Sequence, residues 1–410
     1  MNILKDITST LLVLFLLSKA NLAQGQNDNK NYNQYLNTIT TAVPFLMIGP
    51  DSRAGAMGDV GAATIPDANS AYWNTAKTAF LEQEQAITIS YVPWLKSLGI
   101  DDIYVAQLGY TWKPNERLSI SHGLRYFSLG EIKFTDESAS LLQIVNPNEL
   151  AIDLCGIGYK LNDFFSGGLS ARYIYSNLTS GASVNGSDSK AGNAIAVDLN
   201  GFYKKPIKVG EKPADYMFGF NIQNIGNKVS YSESAERDFI PMNLKIGTGI
   251  NFEIDEFNEF GMYMDVNKLL VPTPPAYKEE GSGFAEDANG EYIIESGMDP
   301  NVSTVQGIIQ SFYDAPGGMT EEFNEINWSL GAEYWYDKQL ALRLGYFYEN
   351  PNKGNRNHMT FGLGLKYQIF NLDFSYLVPF NQRNPLENTL RFTISFDFAD
   401  VKTATEIKKN

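Results

Sequence analysis

Polar and apolar residues alternate one for one along most of this chain. Between Trp328 and Tyr336, Trp328, Leu330, Ala332, Tyr334 and Tyr336 share one face, and Ser329, Gly331, Glu333 and Trp335 share the other. In the next window Leu340, Leu342, Leu344, Tyr346 and Tyr348 oppose Ala341, Arg343, Gly345 and Phe347. Met359, Phe361, Leu363, Leu365 and Tyr367 then oppose Thr360, Gly362, Gly364 and Lys366. Leu390, Phe392, Ile394, Phe396 and Phe398 oppose Arg391, Thr393, Ser395 and Asp397. A period of two with one apolar face predicts β-strands. About 14 such windows run from Ala86 to Phe398.

Two all-β architectures alternate in this way. A soluble sandwich buries an aliphatic face and turns the other to water. Here the apolar face is rich in Tyr, Trp and Phe near strand ends, while the opposite face holds Gly, Ser, Asn and charges. That pattern fits lipid outside and a polar lumen inside, and strands of about 9–11 residues cross a bilayer when tilted. The connections agree. Pro114-Asn115-Glu116, Leu161-Asn162-Asp163, Asp255-Glu256 and Asp337-Lys338 are tight, and they alternate with long links at Leu129–Asn148, Leu178–Lys190, Asn224–Phe239 and Lys268–Ile326. Short periplasmic turns alternating with long external loops predict an even-numbered antiparallel transmembrane β-barrel. Lys204–Asp215 breaks the rhythm as a medium-length basic turn, either solvated or docking a periplasmic partner.

The 410 residues carry a formal charge of −15, with 43% hydrophobic and 13% aromatic residues. The acidic balance repels phosphate, so nucleic acid is excluded as a partner. Met1–Ala23 reads as a secretory signal, with Lys5 before the apolar run Leu11–Leu17 and small residues at Ala20, Ala23 and Gly25. The domain expectation is a signal peptide at 1–25, an N-terminal segment and hatch at 26–85, a barrel at 86–398 and a polar tail at 399–410. Cys155 is the single cysteine, which excludes an internal disulfide.

Before the first strand lies Gly49–Phe80, GPDSRAGAMGDVGAATIPDANSAYWNTAKTAF. Its glycines and alanines allow close backbone approach, and Asp67, Asn69 and Asn74 suit turns and caps. The longest loop, 268–326, opens on Val271-Pro272-Thr273-Pro274-Pro275, which cannot pair as strand. Val302, Val305, Ile308, Ile309 and Phe312 are spaced for one face of a short amphipathic helix, ended by Asp314, Pro316, Gly317 and Gly318. That face either packs on the barrel rim or docks an exported partner.

Arg-Ala-Gly-Ala-Met-Gly-Asp at Arg53–Asp59 and Pro-Asp-Ala-Asn-Ser-Ala-Tyr-Trp-Asn at Pro66–Asn74 resemble the N-terminal hatch of FadL-like outer-membrane proteins. With Asp314-Ala315-Pro316-Gly317-Gly318 in the long loop, the sequence is similar to the PorV branch of that family, which serves the type IX secretion system. The resemblance covers nearly all of the chain after the signal. It implies a fourteen-stranded barrel whose N-terminal segment enters the lumen, with Arg53, Met57, Asp59, Asp67, Asn69, Tyr72, Trp73 and Asn74 as plug elements. It also implies partners: the translocon pore protein, cargo with a C-terminal signal domain, a sortase-like surface-attachment complex, and outer-membrane lipid. The tail after Phe398 departs from barrels that end on an aromatic strand residue.

Chemistry is sparse. His122 lies on a lipid-side strand face with Leu118, Ile120 and Leu124, and His358 beside an outer loop near Asn355, Arg356 and Asn357. A hydrolase needs a nucleophile, a base and an orienting group, and neither histidine has such company. No metal cluster or phosphate-binding loop is legible, so no cofactor is expected. Glu333, Asp373 and Asp397 with Arg343, Lys366 and Arg391 read as a paired charge network in the lumen. Three functions remain open: a non-enzymatic secretion component binding cargo through the long loop, an importer of hydrophobic small molecules, and a lipid-modifying enzyme.

Overall fold

The computed structural model describes residues 36–96, 99–135, 138, 140–179, 189–232, 236–281, 283–380 and 389–398. The expected signal peptide and polar tail lie outside the described residues. Fourteen strands close into an antiparallel ring. They are β1 Gln85–Pro93, β2 Ile103–Trp112, β3 Leu118–Leu129, β4 Asn148–Lys160, β5 Phe165–Asn177, β6 Gly192–Val209 and β7 Lys212–Gly226. The second half comprises β8 Asn243–Glu253, β9 Asn258–Leu269, β10 Asn327–Tyr336, β11 Leu340–Tyr348, β12 Asn357–Tyr367, β13 Phe370–Pro379 and β14 Leu390–Phe398. The ring closes where β1 pairs with β14, from Gln85 opposite Phe398 to Tyr91 opposite Phe392. Every predicted strand window has its counterpart.

The burial pattern is inverted relative to a soluble protein. Leu342, Leu344, Phe361, Leu363 and Leu365 face outward and exposed, whereas Ser329, Glu333, Arg343 and Thr360 are buried inside. Lipid replaces water as the outer solvent, so the apolar face belongs outside. Among the described residues no helix is long and apolar enough to cross a membrane; the strands do the crossing.

The basic turn expected at Lys204–Asp215 is instead strand. β6 continues to Val209 and β7 begins at Lys212, opposite it, so Gly210 and Glu211 alone make the reversal. Gly210 supplies the left-handed φ of 65° that such a turn needs. Lys204 pairs with Asp215 at 3.0 Å.

Residues 44–81 run inside the ring as short pieces: a 3₁₀ turn Pro44–Met47, α1 Ser52–Gly55, α2 Ser70–Trp73 and a second 3₁₀ turn Thr75–Phe80. Their partners lie on strands all round the barrel, from Thr88 of β1 through Ser166, Asn221 and Asp265 to Thr393 of β14. This segment, the expected hatch, is seated on glycines of the inward face. A Cβ on Gly168 would lie 2.5 Å from Ala76 N, one on Gly249 2.7 Å from Ala63 O, and one on Gly331 2.7 Å from Met57 Cβ.

Candidate functional site

All eight hatch residues picked out in the sequence lie within the ring. Arg53 donates from Nε and Nη2 to Glu333 of β10, at 2.9 and 2.7 Å, and pairs with Asp67 at 3.0 Å. Met57 packs with Val60, Ala63, Phe202, Met217 and Tyr263. Asp59 accepts from Arg391 of β14 at 2.5 Å. Asn69 accepts from Thr88, and Tyr72 donates to Leu46 O at 3.1 Å beneath the Arg125 guanidinium, 4.4 Å from its ring. The Trp73 indole donates to Asp51, and Asn74 caps Ala76 N while its amide reaches Ala62 O and Gly201 O.

The expected charge network forms with one change. Arg343 bridges Glu333 at 2.7 Å and Asp373 at 2.6 Å, and Lys366 reaches Asp397 at 3.5 Å. Arg391, expected to pair within the wall, is taken by the hatch carboxylate Asp59. Among the described residues, two of the cavities beside the hatch share no lining residue. One of about 700 Å³ on the external side is lined by Phe45, Trp94, Phe127, Phe347, His358 and Arg391, among others. One of about 230 Å³ on the periplasmic side is lined by Arg53, Asp67, Trp335, Lys338, Lys366 and Asp397, among others.

His358 stands where its sequence neighbours placed it, beside the loop that precedes β12. It is buried and stacked on Phe347, with ring centroids 5.1 Å apart. His122 does face outward; its Nδ1 meets Leu154 O at 2.8 Å, where β4 bulges. Among the described residues no cluster of His, Cys, Asp and Glu could hold a metal.

The long loop carries two short helices, α3 Thr304–Gln310 and α4 Met319–Asn324. Ser303 caps α3 by accepting from Gln306 N. The predicted apolar stripe is split. Val302 and Ile308 pack inward on the cluster at the barrel mouth, where Gly307 abuts Phe239 and Pro272. Val305, Ile309 and Phe312 point out to solvent with Tyr313. Part of the stripe therefore packs on the barrel rim, and the rest is left exposed.

α4 is inside out. Glu321, Glu322 and Glu325, at its inner side and end, are 2%, 4% and 5% exposed, whereas Met319 and Phe323 are 54% and 61% exposed. Two lysines hold the carboxylates. Lys353, from the loop between β11 and β12, reaches Glu321 at 2.5 Å and Glu325 at 3.0 Å. Lys268, at the end of β9, reaches Glu322 at 3.0 Å and Glu325 at 2.6 Å. Asn37 of the N-terminal segment adds a donor to Glu321 at 2.9 Å. Nearby Asp314 accepts from Thr273 N at 3.1 Å, and burial, reinforced by Glu322 and Glu325, pushes its carboxyl up to about 6. Nothing in the local pattern signals this inversion, because Glu-Glu-x-x-Glu reads as a solvated helix face.

A closed antiparallel ring with lipid-suited residues outside and charges inside defines an outer-membrane β-barrel, here with an occupied lumen. The chain belongs to the family described as type IX secretion system protein PorV, which residues 29–276 match. Among solved structures it is similar to the Ralstonia pickettii toluene transporter TbuX, at 12% identity over 86% of this chain and 98% of that one, with a TM-score of 0.46. It is also similar to the Pseudomonas putida toluene transporter TodX, at 11% identity over 84% and 98%, with a TM-score of 0.46. A Pseudomonas aeruginosa FadL homologue aligns at 10% identity over 88% and 99%, with a TM-score of 0.42. No curated protein matches the sequence. Family and fold together make the chain an outer-membrane component of the type IX secretion system, and they point to a secretion or transport barrel rather than an enzyme.

Proposed function

We propose that this barrel is a cargo adaptor. It binds exported proteins by their C-terminal signal domain as they leave the translocon pore, and passes them to the sortase-like complex that attaches them to the cell surface. The observation that carries the reading is the inversion of α4, with its carboxylates buried and Met319 and Phe323 turned out, beside the outward Val305, Ile309 and Phe312 of α3. Large apolar side chains held outside the bilayer span are costly unless a partner covers them. Burying each would contribute about 1.5–3 kcal/mol before association costs. The ion pairs of Lys268 and Lys353 hold α4 in place beforehand, which lowers the ordering cost of docking. In this reading the eight hatch residues are a permanent plug that keeps the envelope sealed while cargo is handled outside.

The test is capture of a cargo C-terminal domain by the detergent-solubilised protein. Ile309→Asp with Phe323→Asp is expected to leave the barrel folded and abolish capture. Undiminished capture and normal cargo release by this variant would sink the reading. Ile308 is a poor probe, since it packs inward on the barrel-mouth cluster.

A second reading, import of hydrophobic small molecules, draws on the external cavity of about 700 Å³ and on the two buried ring nitrogens of His358 that lack a hydrogen-bond partner. Purification of the protein with bound fatty acid and no exported protein would favour it. The separation of the two cavities by the seated hatch weighs against it.

A further inference from the structure

The chain's negative charge is concentrated in one place. Between residues 270 and 326 there are eleven carboxylates and a single lysine, Lys278, so this loop holds −10 of the chain's −15. Three of those carboxylates belong to the buried cluster of α4, and Asp314 is buried beside it. The other seven lie between 276 and 299, on a small sheet beyond the barrel rim.

That sheet is ordered by its own backbone. Ala276–Tyr277 pairs with Ile294–Ser296 and Glu279–Glu280 with Gly283–Phe284. Lys278 N donates to Ile293 O at 2.9 Å, and Ala285 joins the two sides through bonds of 2.8 Å to Lys278 O and from Ile293 N. Tyr277, Phe284 and Tyr292 form a triangle with every pair of ring centroids 5.6 Å apart. Phe284 and Tyr292 are exposed, as are Glu280, Glu286 and Glu291. The sheet is tied to the helices: Ser296 Oγ donates to Pro316 O at 2.8 Å, and Gln310 Nε2 to Asp299 O at 2.8 Å. It therefore stands at a fixed place relative to α3 and α4.

We propose that this acidic, aromatic sheet recognises a lysine- and arginine-rich face on the cargo's C-terminal domain. Carboxylates set around exposed rings suit ammonium and guanidinium groups twice over, through ion pairs and through the ring faces. A charge of −6 on 24 residues attracts a cationic surface over a Debye length, whereas the apolar helices act only on contact. The sheet sets the rate and orientation of approach, and the helices set how long the cargo stays. This inference rests on the adaptor reading.

The experiment measures association and dissociation rates of full-length protein in lipid nanodiscs, with the C-terminal domain of a co-purifying exported protein as the probe. Association is expected to slow about tenfold between roughly 50 and 500 mM salt. Glu280→Gln, Glu286→Gln and Glu291→Gln together are expected to slow it about fivefold at low salt and flatten the salt dependence, with dissociation little changed. Phe323→Asp is expected to speed dissociation and keep the salt dependence. Salt-indifferent association, unaltered in the triple variant, overturns the sheet's role and leaves the adaptor reading standing. Absence of binding at any salt overturns both. Binding that needs calcium, is abolished by chelator and is lost in the triple variant makes the sheet a metal site and overturns the proposal.

Discussion

Gly58 of the hatch and Gly345 of β11 meet backbone to backbone: a Cβ on Gly345 would overlap Gly58 N, and one on Gly58 would lie 2.5 Å from Tyr346 O. Gly58 also takes a φ of 69°, which side chains rarely adopt. The contact leaves room for neither residue to grow. Gly345→Ala is expected to cost roughly 1–3 kcal/mol through overpacking, and to fall on the hatch, because the added methyl overlaps Met57 and Gly58 backbone while the backbone pairing of Gly345 with Gly331 and Thr360 needs no change. Faster proteolysis within 44–81, with the heat-modifiable gel shift of the barrel retained, is the expected result.

Glu333 serves two guanidiniums, Arg53 of the hatch and Arg343 of the wall. Glu333→Gln leaves Arg53 with Asp67 alone and Arg343 with Asp373 alone, and is expected to cost about 1–3 kcal/mol. Adding Arg53→Met is expected to cost less than it does in the unaltered protein, since its bonds to Glu333 are already gone. Denaturation midpoints of the single and double variants measure the coupling.

Lys353 is the tie between α4 and the neighbouring loop. Lys353→Met leaves Lys268 to balance Glu321, Glu322 and Glu325. Hydrogen exchange at 319–325 is expected to accelerate at least about tenfold, for a loss of order 1.4 kcal/mol or more in local stability, while the strands keep their protection. Unchanged exchange there would remove the argument that α4 is held in advance.

Asp314 provides a pH signature. Its folded carboxyl titrates near 6, above the ordinary value of about 4, so the folded loop holds a proton more tightly than the unfolded one. Local stability should therefore be greatest below about pH 4, fall as pH rises through 4 to 6, and stay level above that. Asp314→Asn is expected to flatten the profile and stabilise residues 297–318 above pH 6, read by hydrogen exchange across that range.

The barrel was legible because period-two alternation held over about ten residues at a time, long enough to fix strand type and face. Glu333, Arg343, Asp373, Lys366 and Asp397 were legible as a lumen network because each stands opposite a lipid-facing residue. The partner of Arg391 was not. Asp59 lies 332 residues earlier in the chain, and alternation says nothing about what fills a lumen. The inward glycines looked like part of a small polar lining; their role became visible only with the hatch backbone against them. In the long loop, spacing marked an apolar arc on α3 but carried no information on which part faces the rim. Burial of Glu321, Glu322 and Glu325 depends on two lysines brought from other strand ends, and local sequence contains no such signal.

The glycine seating also constrains how the molecule can be assembled. The hatch touches both strands of the closing pair: Thr88 of β1 donates to Asn69 at 2.6 Å, and Thr393 of β14 accepts from Ser52 N at 2.9 Å. The seam between the first and last strands is thus held twice, by its own pairing and by the segment inside it, so assembly is complete only when that segment is seated. Loosening the segment would loosen the seam as well as open the lumen.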